Sequence, residues 1–244
     1  MPRFFLEPEK FDGSAVRIEG QDAFHIARSL RMAVGDRITL CDTEGGEYSA
    51  VLTKIRDEEC LLEVGEKKES KAELPLSVTL YMAYPKGDKL ETVIQKAVEL
   101  GVSRIVPFES SRCIKRPKAE KNEKLLSRLN RIAEEAAKQC GRARLPKVCA
   151  PIGFKEMLHE AGTLDTALFC YEDERTLSIK NALEEVKVGS SLGIIVGSEG
   201  GFSPEEARWA TEIGCKSVSL GNRILRCETA PLFALSAVVY RFEL

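Results

Sequence analysis

The chain is poor in the residues that usually announce a metal or redox centre. It has two histidines, His25 and His159, and none of its eight cysteines is spaced as C-x-x-C. A zinc or iron–sulfur site is therefore not expected. No apolar run approaches the ~20 residues that a membrane span needs. The opening residues Met1-Pro2-Arg3-Phe4 lack the apolar core of a secretory signal. A net charge of −2 gives no global basicity that would point to nucleic acid. There are no internal repeats and no low-complexity segments. The G-x-G-x-x-G fingerprint of a nicotinamide enzyme is also missing: after the first strand of the expected βαβ unit stands Tyr84-Pro-Lys-Gly-Asp.

What remains is an ordinary soluble composition, 43% hydrophobic and 30% charged, over 244 residues, enough for one large domain or two. Cys60 and Cys170 lie in apolar runs and read as small buried hydrophobes. A reducing cytoplasm is the simplest setting for such cysteine usage.

The first 72 residues read as a small β-barrel. Short strands are expected at 3–6, 15–19, 37–42, 47–55 and 60–64, with turn signals at Gly35-Asp36 and Thr43-Glu44-Gly45-Gly46. One helix is expected at 22–32, with Phe24, Ile26, Ala27 and Leu30 as its apolar positions. Arg28 and Arg31 share a helical face, and Arg3 stands beside Phe4 and Phe5. Arginines near aromatics suit RNA, while a solvated helix face and a core phenylalanine pair fit the same residues. The polar run from Gly65 to Glu73 reads as a linker.

From residue 73 strands and helices alternate, which predicts a parallel sheet covered by helices. A strand at 76–83 leads to a helix with Asp88 at its cap and Leu90, Val93, Ile94, Ala97 and Val98 on one face. Gly101 ends that helix, and a strand follows at 102–107. Residues 112–147 carry twelve Lys/Arg against four Glu. Inside this stretch an amphipathic helix carries Leu125, Leu129, Ile132 and Ala136 on its apolar stripe. The basic excess makes it a candidate phosphate-backbone surface; a solvated helix with pairs such as Glu134–Lys138 is the alternative.

Further strands are expected at 166–170 and 192–196. After the second comes Gly197-Ser198-Glu199-Gly200-Gly201-Phe202, followed by Ser203-Pro204-Glu205-Glu206, a capping box with proline at the first helical position. A glycine-rich turn between a buried strand and a helix start is where open α/β sheets bind ligands. Glu199 would repel a phosphate and suits a cationic or hydroxyl-bearing ligand: a sulfonium, an amine or a ribose. A plain β-α turn with a solvated acid accounts for the same residues. After a short strand at 217–220 a second loop runs Gly221-Asn222-Arg223-Ile224-Leu225-Arg226-Cys227-Glu228. The last helix, with Thr229 as its expected cap and Pro231 in its first turn, is apolar almost all round, so it is buried in its own core or against a partner, and a homodimer is the economical reading.

The two loops taken together, 196–202 and 220–230, resemble the SPOUT methyltransferases, and within them the RsmE family of 16S ribosomal RNA uridine-N3 methyltransferases. Further stretches match: Lys86-Gly-Asp-Lys-Leu-Glu91, Gln95-Lys96-Ala-Val-Glu99-Leu-Gly-Val102, Glu135-Ala-Ala-Lys-Gln139-Cys-Gly-Arg142, Arg3-Phe-Phe, Leu30-Arg31 and Gly35-Asp36. The sequence departs from the family at Ser198, usually proline, and Cys227, usually threonine.

The resemblance implies a PUA-like, RNA-binding β-barrel at 1–72. It implies a SPOUT-type α/β domain with a C-terminal trefoil knot at 73–244. It further implies S-adenosylmethionine as cofactor, a homodimer, the small-subunit 16S ribosomal RNA as partner, a cytoplasmic setting, and no metal. Backbone groups of Leu168, Val196, Gly197, Gly200, Leu220, Ile224 and Leu225 would hold adenine and ribose. Gly201, Gly221 and Arg226 complete the expected cofactor loops, and Thr229 and Ala230 begin the helix behind them. Arg226, then Arg223, would stabilise charge on the acceptor base. Glu199 would accept its proton or orient the cofactor. Arg3, Arg28, Arg31, Lys86, Arg112, Lys115, Arg116 and Arg142 would bind RNA. A non-catalytic RNA-binding or assembly factor is the rival reading.

Overall fold

The computed structural model describes residues 1–11, 13–114 and 122–244, so the expected RNA ligands Lys115 and Arg116 lie outside the described residues. The chain divides into two compact units, Met1–Glu73 with Ala137–Leu145, and Leu74–Ala136 with Pro146–Leu244.

The first unit is a curled five-stranded sheet made of β1 (Arg3–Phe5), β2 (Ala15–Glu19), β3 (Arg37–Cys41), β4 (Gly46–Ile55) and β5 (Glu59–Glu69). Its order, β1-β3-β4-β5-β2, leaves β1 and β2 as edges, a half-barrel of PUA-like form. Alternation does the sorting: in β2, Val16 and Ile18 face a core shared with Phe4, Ile38, Leu40, Leu52 and Leu62, and the residues between them are exposed.

Two expectations are corrected here. The run expected to be a linker is partly strand, because Lys67, Lys68 and Glu69 pair with Tyr48, Glu47 and Gly46 and extend the β4–β5 hairpin. It reads as linker because the arm is exposed and has no apolar face to show. The expected helix at 22–32 is shorter and wider. α1 (Gln21–Phe24) runs into a π-turn over His25–Ser29, and Arg31 takes a positive φ of 51°. The changed winding keeps Ala23 and Ile26 inside but leaves Phe24 and Leu30 52% and 39% exposed.

Residues 137–145 return to this first unit. Arg142 is buried there, its guanidinium donating to Glu73 Oε2 at 2.7 Å, and the backbone N–H groups of Ala143 and Arg144 donate to Glu73 Oε1. Arg3 donates to Glu47 at 2.9 Å and to the Arg142 carbonyl at 3.2 Å.

The second unit is a parallel sheet. Its strands are β6 (Ser77–Ala83), β7 (Arg104–Glu109), β8 (Lys147–Val148), β9 (Ile152–Gly153), β10 (Thr166–Cys170), β11 (Ser191–Val196) and β12 (Lys216–Val218). Their order is β12-β10-β11-β6-β7-β8, with β9 also on β7, and every described pair is parallel. Near-continuous apolar strands such as β6 and β11 are what burial on both faces demands.

The helices of this unit are α2 (Lys89–Glu99), α3 (Asn122–Cys140, whose last turn belongs to the first unit), α4 (Phe154–Ala161), α5 (Ile179–Glu184), α6 (Pro204–Glu212) and α7 (Thr229–Phe242). α2 buries the five residues its period predicted, and Gly101 ends it at φ 84° with a Cβ position 2.7 Å from Leu74. α6 begins with the expected capping box: Glu206 N–H donates to Ser203 Oγ, and Ser203 N–H to Glu206 Oε2. α7 differs from expectation at its start. Thr229 is its first helical residue, and Glu228 holds the cap position without a side-chain cap bond.

Replacing Glu73 by Ala would take from the buried Arg142 guanidinium the carboxylate it donates to and strip the Ala143 and Arg144 N–H groups of their acceptor. We expect a loss of about 3–5 kcal/mol, read from urea unfolding of the full chain.

Candidate active site

In a parallel sheet all strands end on one side, and loops from neighbouring strands meet there. β12, β10, β11 and β6 are neighbours, and beyond their C-terminal ends lies a cavity of about 500 Å³. Both loops singled out in the sequence line it. From the first come Val196, Gly197, Glu199, Gly200 and Gly201. From the second come Leu220, Gly221, Arg223, Ile224, Leu225 and Arg226, with Ala230 behind them. Leu168 stands apart, fully buried two residues before the strand end, and Thr229 does not reach the wall.

The glycine turn is gripped from both sides. Gly201 N–H closes it on the Ser198 carbonyl at 2.9 Å. Gly201 has a φ of 62°, and a Cβ there would stand 1.9 Å from Glu172 Oε1. A Cβ on Gly200 would stand 2.9 Å from that of Arg112. Arg112, expected to bind RNA, donates to the Gly200 carbonyl at 2.9 Å. Just past the turn, Phe202 is buried and packs 4.2 Å from the Phe169 ring centroid.

Charge is concentrated at one end. Glu199 Oε1 accepts from Lys86 N–H at 3.1 Å and from Lys89 Nζ at 3.0 Å. Lys89 also reaches Glu228 Oε2 at 3.1 Å and Cys227 Sγ at 3.7 Å. Burial alone would push the Glu199 carboxyl up. Its own backbone N–H, the Lys89 ammonium and the Lys86 N–H outweigh burial and hold it below the ordinary carboxylate range. Burial first, then the hydrogen bond to Glu228, pushes the Cys227 thiol up to about 12, so it stands neutral.

The second loop has little internal bonding. From Asn222 to Cys227 no backbone N–H has a partner among the described residues. An irregular wall with unpaired N–H groups and the apolar Leu220, Ile224 and Leu225 suits a flat heterocycle with hydrogen-bonding edges. Arg223 and Arg226 are exposed and make no ion pair among the described residues.

Several lining residues were missed in the sequence: Lys89, Cys170, Tyr171, Glu172, Arg175, Ser198, Ser219, Asn222 and Cys227. Cys170, Tyr171 and Glu172 could have been found by following the strand at 166–170 to its end, since adjacent parallel strands share a C-terminal edge. Lys89 follows from the same rule applied to β6. Of the expected RNA ligands, Arg142 and Arg3 face internal partners. Arg28 pairs with Asp57, Arg31 is exposed, and Lys86 is exposed with its N–H on Glu199. Among the described residues no group of His, Cys, Asp or Glu could hold a metal ion, and no helix is long and apolar enough to cross a membrane.

Known proteins share this arrangement. The RNA methyltransferase domain model matches residues 72–239 and the RNA methyltransferase PUA domain model residues 18–65. The fold and cavity thus define an RNA methyltransferase of the two-part kind. The ribosomal RNA small subunit methyltransferase E of Bacillus subtilis is 36% identical over 251 residues, covering 100% of this chain and 98% of that protein. Its Synechocystis counterpart is 33% identical over 97% of this chain and 76% of its own. A crystal structure of the Neisseria gonorrhoeae protein of that name, bound to S-adenosyl methionine, superposes with a TM-score of 0.88 at 33% identity, covering 99% and 98% of the two chains. This chain belongs to the ribosomal RNA small subunit methyltransferase E family.

Gly201→Ala forces an L-residue into left-handed backbone and displaces Glu172. It should cost about 1–2 kcal/mol in denaturant unfolding, with Glu172→Ala relieving the clash but not the backbone strain.

Proposed function

We propose that the chain is an S-adenosylmethionine-dependent methyltransferase acting on N3 of a uridine in the 16S ribosomal RNA of the small subunit. The observation that carries this reading is the meeting of the 197–201 and 220–226 loops on one cavity wall. The cavity fits the cofactor on three counts. The glycine turn lets backbone come close where a Cβ would collide. The second loop offers unpaired N–H groups beside apolar side chains. Glu199, kept anionic, suits a positive sulfur better than a phosphate. Backbone of Val196, Gly197, Gly200, Leu220, Ile224 and Leu225 would hold adenine and ribose. When bound, the cofactor supplies an electrophilic methyl group.

The rest is the work of the chain's own residues. Uracil N3 must lose a proton, and the negative charge that develops spreads to O2 and O4. A fixed cation beside the base lowers that barrier. Arg226 is exposed on the lining and has no competing carboxylate among the described residues, so it is the first candidate, with Arg223 second. Glu199 is a poor proton acceptor while its own N–H, the Lys89 ammonium and the Lys86 N–H hold its carboxyl low, which favours its orienting role.

RNA would be held by the half-barrel, through Arg31 and Arg28, and by the exposed Lys124, Arg128 and Arg131 of α3. Arg3 and Arg142 serve the first unit's interior in this reading. The division into an RNA-holding part at 1–72 and a methyl-transferring, trefoil-knotted part at 73–244 belongs to the same proposal. So do the cytoplasmic setting and a homodimer, supported by the 42% and 76% exposure of Phe233 and Tyr240 on α7.

Arg226→Ala should keep the fold and cofactor affinity while methyl transfer falls by about two to three orders of magnitude. Calorimetry with S-adenosylmethionine and a tritiated-methyl assay on small-subunit RNA read the two effects. Loss of one N3-methyluridine from ribosomal RNA of cells lacking the protein would identify the product; an unchanged pattern would refute it. Glu199 is ionised above the ordinary carboxylate pKa, and its contribution is lost only as pH falls through its depressed value. Cofactor affinity should therefore show no Glu199 step between pH 6 and 8 and should weaken only at pH values below the ordinary carboxylate range.

A further inference from the structure

Lys89 opens α2 and lies far in sequence from either pocket loop, yet its ammonium meets both. It donates to Glu199 Oε1 of the glycine turn at 3.0 Å and forms an ion pair with Glu228 Oε2, at the end of the second loop, at 3.1 Å. Cys227 Sγ stands 3.7 Å away. Two acceptors and an ion-paired carboxylate, drawn from two loops, thus surround the ammonium. The Cys227 thiol in turn donates to Glu228 Oε2 at 3.2 Å, so the four side chains form one connected network with Lys89 at its centre. The side chains of Lys89, Glu199 and Glu228 are 34%, 28% and 27% exposed, so this is not a fully solvated surface pair of the kind that contributes little. One ammonium faces two carboxylates, which leaves a net negative charge at this end of the cavity.

We infer that Lys89 is a positioning residue: by bridging Glu199 and Glu228 it ties the two pocket loops together and holds an anionic end to the cavity for a cationic ligand. The inference rests on the cofactor reading above. Glu228 lies off the cavity wall. Lys89 and Cys227, which it contacts, do line the cavity, so an effect of Glu228 that disappears once Lys89 is removed separates bridging from direct contact.

The test is a double-mutant cycle on the full-length protein, with S-adenosylmethionine affinity measured by calorimetry. Lys89→Met should raise Kd about tenfold and Glu228→Gln about threefold. The double variant should be within about twofold of Lys89→Met alone, because both remove the same bridge. Additive effects, or an unchanged Kd in Glu228→Gln, would overturn the positioning role. If Lys89→Met melts at the temperature of the parent, its Kd counts in the cycle. If it does not fold, Glu228→Gln alone decides. Failure of the unsubstituted protein to bind S-adenosylmethionine would instead overturn the cofactor reading itself, and this inference with it.

Discussion

The position of the glycine turn depends on the burial of one ring. Phe202 sits between the turn and α6, among Phe169, Phe108 and Phe154, and it ties the end of the turn to the sheet's core. The three glycines of the turn bring no side chains to hold it, so its shape comes from its ends, its neighbours and the bonds of Glu199. Val196 supplies the upstream end as the last residue of β11, and the capping box of α6 the downstream end. Arg112 and Glu172, from the loops after β7 and β10, fill the space that glycine leaves. The same tightness that lets a ligand approach the backbone thus brings neighbouring loops into contact with it. Ser198, at a position usually proline in the family, adds only a long contact from its hydroxyl to the Arg112 carbonyl, at 3.4 Å.

The electrostatic design of the cavity follows from this geometry. Glu199 cannot leave the turn, so its ionisation is set by what surrounds it. A lysine and a backbone N–H keep it charged despite partial burial. Cys227 stays a neutral donor, which allows it to stand beside Glu228 without adding a second repulsion. The arginines of the second loop are left uncommitted among the described residues, available to a partner that brings its own negative charge.

The alternation of strands and helices after residue 73, the buried face of α2, the α6 capping box and both pocket loops were all legible in the sequence. Each is written in local periodicity or in a turn residue with one physical reason. What was not legible depended on distance in the chain. Lys89 looks like any helix-start lysine until β6 is placed beside β11. Arg142 looks like one more charge in a basic stretch until Glu73 is brought to it. Phe24 and Leu30 read as a core face because a 3.6-residue period was assumed, and the π-turn at His25–Ser29 changed the winding. The arm of β5 carried no alternation, because its last five residues are all exposed.

The first unit is not contiguous in the chain: its last segment is Ala137–Leu145. On the ribosome, the half-barrel therefore emerges with Glu73 lacking its guanidinium, and must wait for more than sixty further residues before Arg142 is made. Its completion follows synthesis of the early strands and helices of the second unit. A nascent chain halted between these points would carry an unfinished first unit, so the completion of that unit and the growth of the second are linked by the order in which the residues are added.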